Sequence, residues 1–163
     1  MKIEELPVSD LMNRNVLTVL PSTTLKDLLN LMRKTHQHIF PVLADDATLL
    51  GVVNYNDILN IFRPFSKSVS EIVKRMPFVE SIDDEDLNLE LSPEMGILIV
   101  VDDIINKNFI SIKETSTIKE ARRLMRIHKL EMLPVVSDKK FSGVISNLDI
   151  LVYVFKEHDI IKR

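Results

Sequence analysis

The chain repeats itself, and a repeat constrains a fold strongly because each copy must solve the same burial problem. Val8-Ser-Asp10-Leu-Met-Asn13-Arg-Asn15 returns as Val101-Asp-Asp103-Ile-Ile-Asn106-Lys-Asn108. Leu31-Met32-Arg33 returns as Leu124-Met125-Arg126, and Pro41-Val42 as Pro134-Val135. Gly51-Val-Val-Asn54-Tyr-Asn-Asp57-Ile-Leu59 returns as Gly143-Val-Ile-Ser146-Asn-Leu-Asp149-Ile-Leu151. The spacing is 93 residues from Val8 to Val101 and 92 from Gly51 to Gly143, so the second copy is one residue shorter between its proline and its glycine. Two copies make a pseudo-twofold pair, whereas a solenoid needs a longer array.

Each copy reads as β-α-β-β-α. A short apolar strand, Leu17-Thr18-Val19 or Ile110-Ser111-Ile112, opens it. Thr24-x-x-Asp27 and Thr117-x-x-Glu120 are capping-box helix starts. Leu25, Leu28, Leu29 and Met32, and then Ile118, Ala121, Leu124 and Met125, recur at helical spacing. Two β-rich runs follow, Ile39 to Leu43 and Leu49 to Val53 in one copy, Met132 to Val136 and Phe141 to Ile145 in the other. A second helix starts after Asn54 or Ser146. A unit of about 50 residues buries a poor core alone, so the copies should pack on each other. The expected fold class is α/β (α+β), with two pseudo-twofold-related domains packed together. The first copy spans 1–62, a connector 63–97, and the second copy 98–163. Within the connector, Ser66 to Met76 has helical periodicity, and Glu80 to Glu94 carries seven acidic residues and no basic ones. That run reads as a solvated face or as a segment that docks a partner.

Composition removes most chemistry. The chain has no cysteine, which excludes disulfides, thiolate metal sites and a cysteine nucleophile. Its three glycines, Gly51, Gly96 and Gly143, cannot build a phosphate-cradling G-x-G-x-x-G turn. His36-x-His38 lacks identifiable further metal ligands and reads as two polar side chains between a helix and a strand. No catalytic constellation and no metal site is visible, so the chain is not expected to be an enzyme. A net charge of −3 offers no basic field for nucleic acid or a membrane surface. No apolar stretch approaches the roughly 20 residues of a membrane span. The opening residues lack a signal-peptide apolar region, so a cytoplasmic location is expected.

The doubled set of motifs resembles the CBS domain (cystathionine-β-synthase type), and the whole chain resembles a tandem CBS pair, or Bateman module. The resemblance covers about 8–62 and 101–155. It implies a regulatory module that binds an adenosine-containing ligand between its paired domains, such as AMP, ADP, ATP or S-adenosylmethionine. It also implies a homodimer and an associated enzyme or transporter under its control. By the same resemblance Asp149 would hold a ribose and Ser146 a phosphate, at a helix start whose free N–H groups suit anions. Asp57 and Asn54 stand at the matching positions of the first copy, where an amide replaces the hydroxyl. A capping role alone explains all four residues equally well. The base slot would be formed by Thr18, Val19, Ile39, Phe40 and Pro41, or by Ser111, Ile112, Met132, Leu133 and Pro134. The resemblance pairs Asp149 with the Thr18–Ile39 side and Asp57 with the Ser111–Met132 side. From the hydroxyl alone, Asp149 ranks above Asp57. Arg14, Arg33, Lys34, Arg122, Arg126 and Lys129 are candidate phosphate cations, each more simply a solvated charge. A ligand-free interaction module is the alternative.

Overall fold

The computed structural model describes residues 2–62 and 93–161. Two 3-10 turns, Ile3–Glu5 and Val8–Asp10, precede α1 (Leu25–Thr35), β1 (Ile39–Leu43), β2 (Leu49–Asn54) and α2 (Tyr55–Phe62). The second stretch holds α3 (Met95–Leu98), α4 (Val101–Ile104), β3 (Ile112–Lys113), α5 (Ile118–His128), β4 (Met132–Ser137), β5 (Lys140–Ser146) and α6 (Asn147–Glu157). The mixed α+β class is as expected. The helix expected over Ser66 to Met76, and all of the acidic run before residue 93, lie outside the described residues.

The helices α1 and α5 begin and end alike because their terminal residues are alike. Thr24 Oγ1 accepts the Asp27 N–H at 3.1 Å, and Thr117 Oγ1 accepts the Glu120 N–H at 3.3 Å. Each cap satisfies one of the orphan donors of a helix start. The chain leaves α1 through His36 and α5 through Lys129, both in the left-handed conformation, with N–H groups donating to Met32 O and Met125 O. Leu25 and Leu28 on one helix, and Ile118, Ala121 and Met125 on the other, bury the apolar stripe.

The strands follow the expected order, although the opening strand of the second copy is Ile112–Lys113 rather than Ile110 to Ile112, and the copies differ at one point. β1 and β2 pair antiparallel, as do β4 and β5. In the second copy β3 adds a parallel strand beside β4. In the first copy the expected strand Leu17-Thr18-Val19 is reduced to one parallel bridge, Val19 to Val42. The position two residues after that bridge explains the difference. Glu114 donates its N–H to Val136 O at 3.2 Å and prolongs the ladder. Its counterpart is Pro21, which has no N–H to donate.

The cores are assembled by exchange. Val19, Leu25, Leu28, Phe40, Val42, Val53 and Ile58 form a cluster completed by Val101, with Ile99, Ile104 and Ile105 packed against it. Ile112, Ile118, Ala121, Met125, Leu133, Val135, Ile145 and Ile150 form the other, completed by Leu6, Val8 and Met12. The segment leading each copy therefore fills the core of the other copy. The backbone repeats the exchange bond for bond. Leu25 N–H donates to Ile99 O at 2.8 Å and Ile118 N–H to Leu6 O at 2.9 Å. Val101 N–H donates to Thr23 O and Val8 N–H to Ser116 O, both at 2.8 Å. Asn106 pairs with Val52, and Asn13 with Val144.

This crossing explains the repeated glycine. A Cβ on Gly51 would stand 2.6 Å from Asn106 O and 2.6 Å from the Ile105 side chain. One on Gly143 would stand 2.6 Å from Asn13 O. Only a residue without a side chain lets the crossing backbone approach so closely.

At the pseudo-twofold axis the two hairpins meet. Thr48 bridges Lys140, Leu49 N–H donates to Lys139 O at 3.1 Å, and Phe141 N–H donates to Ala47 O at 3.0 Å. Lys140 Nζ donates to Asp46 Oδ2, to Asp46 O at 2.7 Å and to Thr48 Oγ1 at 3.1 Å. The Lys140 bond, followed by those from Thr48, holds the Asp46 carboxyl down to about 2.

Candidate functional site

The two repeated aspartates sit at matching helix starts. Ser146 Oγ accepts the Asp149 N–H at 3.1 Å and donates to Asp149 Oδ2 at 2.6 Å. The Ser146 N–H donates to the same Oδ2 at 2.8 Å. In the first copy Asn54 Oδ1 accepts from the Asn56 N–H at 2.8 Å and the Asp57 N–H at 3.3 Å. The Asn54 N–H donates to Asp57 Oδ2 at 2.8 Å. Both tips are thus closed capping boxes. In each, Oδ1 has no hydrogen-bond partner among the described residues. Both carboxylates are half-buried. Burial pushes the Asp57 carboxyl above its usual range, against the opposing bond from Asn54.

The expected base-slot residues divide by burial. Val19, Phe40, Pro41, Ile112, Leu133 and Pro134 are buried. The side chains of Val19, Phe40, Ile112 and Leu133 belong to the cores, so a ligand beside them meets backbone. Ile39, Ser111 and Met132 are half-buried and Thr18 is exposed.

Gln37 is a residue that motif reading passes over. Its Oε1 accepts the Leu17 N–H at 3.2 Å. Its Nε2 donates to Leu17 O at 2.8 Å and to Ile39 O at 2.9 Å. The carboxamide therefore ties the opening segment of the first copy to β1. The equivalent residue in the second copy is Leu130, which packs partly buried against the core. A polar residue aligned with an apolar one was the available signal.

A cavity of about 820 Å³ opens between the copies. Thr48 and Leu49, at the start of β2, contribute the first-copy wall, and Ser111, Lys113, Glu114 and Lys139 part of the second-copy wall. Its size falls in the roughly 300–1,000 Å³ range of small-molecule sites. Ser111 is the one expected site residue on its lining. Glu114 accepts from Ser142 Oγ at 3.1 Å and lies 3.9 Å from Arg14. Lys113 and Lys139 form no ion pair among the described residues. None of the candidate cations Arg14, Arg33, Lys34, Arg122, Arg126 and Lys129 lines the cavity, and all are exposed. Arg122 pairs with Glu4 at 3.4 Å. His38 packs its ring edge-on against Tyr55, with centroids 6.3 Å apart. No group of three metal-ligating side chains occurs among the described residues, and no described helix is long and apolar enough to cross a membrane.

Comparison with known proteins places these features. A family model for the CBS domain matches residues 8–63 and 101–156. An uncharacterized protein of Methanocaldococcus jannaschii is 26% identical over 153 residues, covering 93% of this chain and 32% of its own length. Inosine-5'-monophosphate dehydrogenase of Aquifex aeolicus is 27% identical over 140 residues, covering 84% of this chain and 22% of the enzyme. The chain thus spans a third or less of these relatives. Among solved structures, CBSX2 in complex with AMP superposes with a TM-score of 0.67 at 22% identity, covering 93% of this chain and 98% of that one.

Proposed function

The chain belongs to the CBS domain family as a tandem pair, and from that premise we propose that it is a regulatory module binding an adenine nucleotide or another adenosyl ligand between its copies. The ligand class comprises AMP, ADP, ATP and S-adenosylmethionine. The observation that carries the reading is the cavity walled by both copies: a molecule there touches residues of both repeat units. A ligand with different affinity for two arrangements of the copies shifts the balance between them, which is all that regulation requires. The similarity in fold to an AMP complex supports the class of ligand.

We assign the roles that the resemblance implies. The Oδ1 atoms of Asp57 and Asp149 accept ribose hydroxyls while each Oδ2 keeps its cap. Asn54 and Ser146 orient the helix-start N–H groups toward phosphate. Thr18, Val19, Ile39, Phe40 and Pro41 on one side, and Ser111, Ile112, Met132, Leu133 and Pro134 on the other, are the two candidate slots for a base. The module is not itself an enzyme. It acts on an associated enzyme or transporter, as the small share of the Aquifex dehydrogenase that it matches supports.

It acts as a homodimer. Leu148, Leu151 and Phe155 on α6 and Tyr55 and Leu59 on α2 stand exposed, Leu148 at 66%. Large apolar side chains gathered on matching helices are best covered by a second copy making the same contact in return. Leu151→Asp should turn a dimer into a monomer in sedimentation velocity.

Calorimetric titration with AMP, ATP and S-adenosylmethionine tests the ligand. Binding of at least one, lost in the Asp57→Ala/Asp149→Ala double variant that still folds, is the expected result. Neither heat nor a thermal shift with all three leaves the interaction module as the better reading.

A further inference from the structure

In the first copy a side chain caps the backbone groups beside the expected base slot. Leu17 lies in the opening segment, where its N–H and C=O point to the same side as in any extended residue. Gln37 fills that pair, Oε1 on the N–H at 3.2 Å and Nε2 on the C=O at 2.8 Å, with the second Nε2 hydrogen on Ile39 O at 2.9 Å. A carboxamide thus offers one acceptor beside an NH2 carrying two donors. Adenine offers the same set along one edge, ring N1 beside an exocyclic NH2. Hypoxanthine offers an acceptor beside a single N–H.

The second copy lacks this cap. Leu130 stands where Gln37 would be and turns into the core. The N–H and C=O of Ile110, the counterpart of Leu17, have no partner among the described residues. Beside Ile110, Phe109 and Ser111 line the cavity between the copies.

We infer that Gln37 is an internal stand-in for an adenine edge that keeps the first slot closed, so that an adenine-bearing ligand enters the second slot and pairs with Ile110. The inference rests on the adenosyl reading above and assigns which of two related slots is used. The side-chain exchange needed to open the first slot breaks three hydrogen bonds, which a ligand must replace before it gains anything.

Titration of AMP and IMP into three folded proteins tests it: the natural chain, Gln37→Leu and Leu130→Gln. The natural chain should bind one AMP per chain, more tightly than IMP. Gln37→Leu should bind a second AMP per chain. Leu130→Gln, which supplies the missing stand-in, should weaken AMP binding by about tenfold or more. Gln37→Glu removes both donors at nearly constant size and serves if Gln37→Leu fails to fold. It should likewise bind the second AMP. In a nitrogen–proton correlation spectrum, the Gln37 side-chain amide signals should stay put when AMP binds the natural chain. If the natural chain binds AMP but its stoichiometry and affinity are the same in Gln37→Leu and Leu130→Gln, the stand-in is overturned while the adenosyl reading survives. If none of the proteins binds AMP, IMP, ATP or S-adenosylmethionine, both fall together.

Discussion

The two copies agree where they pack and differ at half-buried positions. Val8 and Val101, Leu28 and Ala121, Phe40 and Leu133, and Gly51 and Gly143 occupy equivalent buried places. Pro21 against Glu114, Gln37 against Leu130, and Asn54 against Ser146 do not match in chemistry. The first of these shortens a ladder, the second closes a slot, and the third changes a helix cap. Duplication preserved the contacts that hold the module together and let the partly solvated ones diverge. Two criteria then rank the aspartates in opposite ways. The hydroxyl of Ser146 favours Asp149. The open slot favours Asp57, because β2, which leads directly into the Asp57 helix, walls the same cavity as Ser111.

The strongest tests strike the shared cores. Phe40→Ala should cost about 3–5 kcal/mol and Leu133→Ala about 2–5 kcal/mol in urea unfolding. Each should leave a single transition, because the exchanged segments tie the cores together. Two separated transitions would make the copies independent and break the likeness drawn above. Next, Gly51→Ala and Gly143→Ala should each cost about 1–3 kcal/mol through overpacking. The loss should be larger at Gly51, where the new methyl also meets Ile105 at 2.6 Å. An equal loss would mean that Ile105 yields freely. Third, Asp57→Ala should weaken AMP binding about tenfold, as loss of hydrogen bonds to a charged acceptor implies, and Asp149→Ala should weaken it less. The reverse order restores the hydroxyl criterion. Fourth, Asn54→Ala and Ser146→Ala should each lose about 1 kcal/mol by removing a cap. Thermal unfolding would show whether amide and hydroxyl caps are equivalent here.

The smallest effect concerns the hairpin junction, where Lys140 has no counterpart because its equivalent is Thr48. Asp46 titrates at about 2 in the folded chain against 3.8 in its ordinary state. Its contribution is therefore present above 3.8 and disappears as pH falls toward 2. Lys140→Met removes the largest part of that contribution at neutral pH and leaves the part from Thr48. The stability gap between the two proteins should narrow across this window. Because the pair is solvent-exposed, the gap itself should be slight.

Much of this was legible from the residues. Helical spacing and threonine caps located α1 and α5, and β-rich runs located the four hairpin strands. The Asp-bearing helix starts were visible as capping boxes. Periodicity was silent on which core a segment enters, because Leu6, Val8 and Met12 are apolar whichever core receives them. The role of Gly51 and Gly143 depends on a crossing strand distant in sequence, so local reading treated them as repeat markers. The opening strand of the first copy failed at Pro21, a residue whose missing N–H matters only once its ladder partner is known. Gln37 was missed for a similar reason: its meaning lies in a hydrogen-bonded pair 20 residues away.

The reciprocal filling of cores has an ancestral consequence. A polypeptide with one such unit would leave a notch in its interior and carry a loose leading arm shaped to fill that notch in a sister molecule. Two sisters would close into a ring, each making every contact once in either direction. The present protein is that ring with one link sealed by the peptide chain. Sealing guarantees that an Asn54 half always meets a Ser146 half, and so makes an unequal pair heritable where free sisters could only ever be identical.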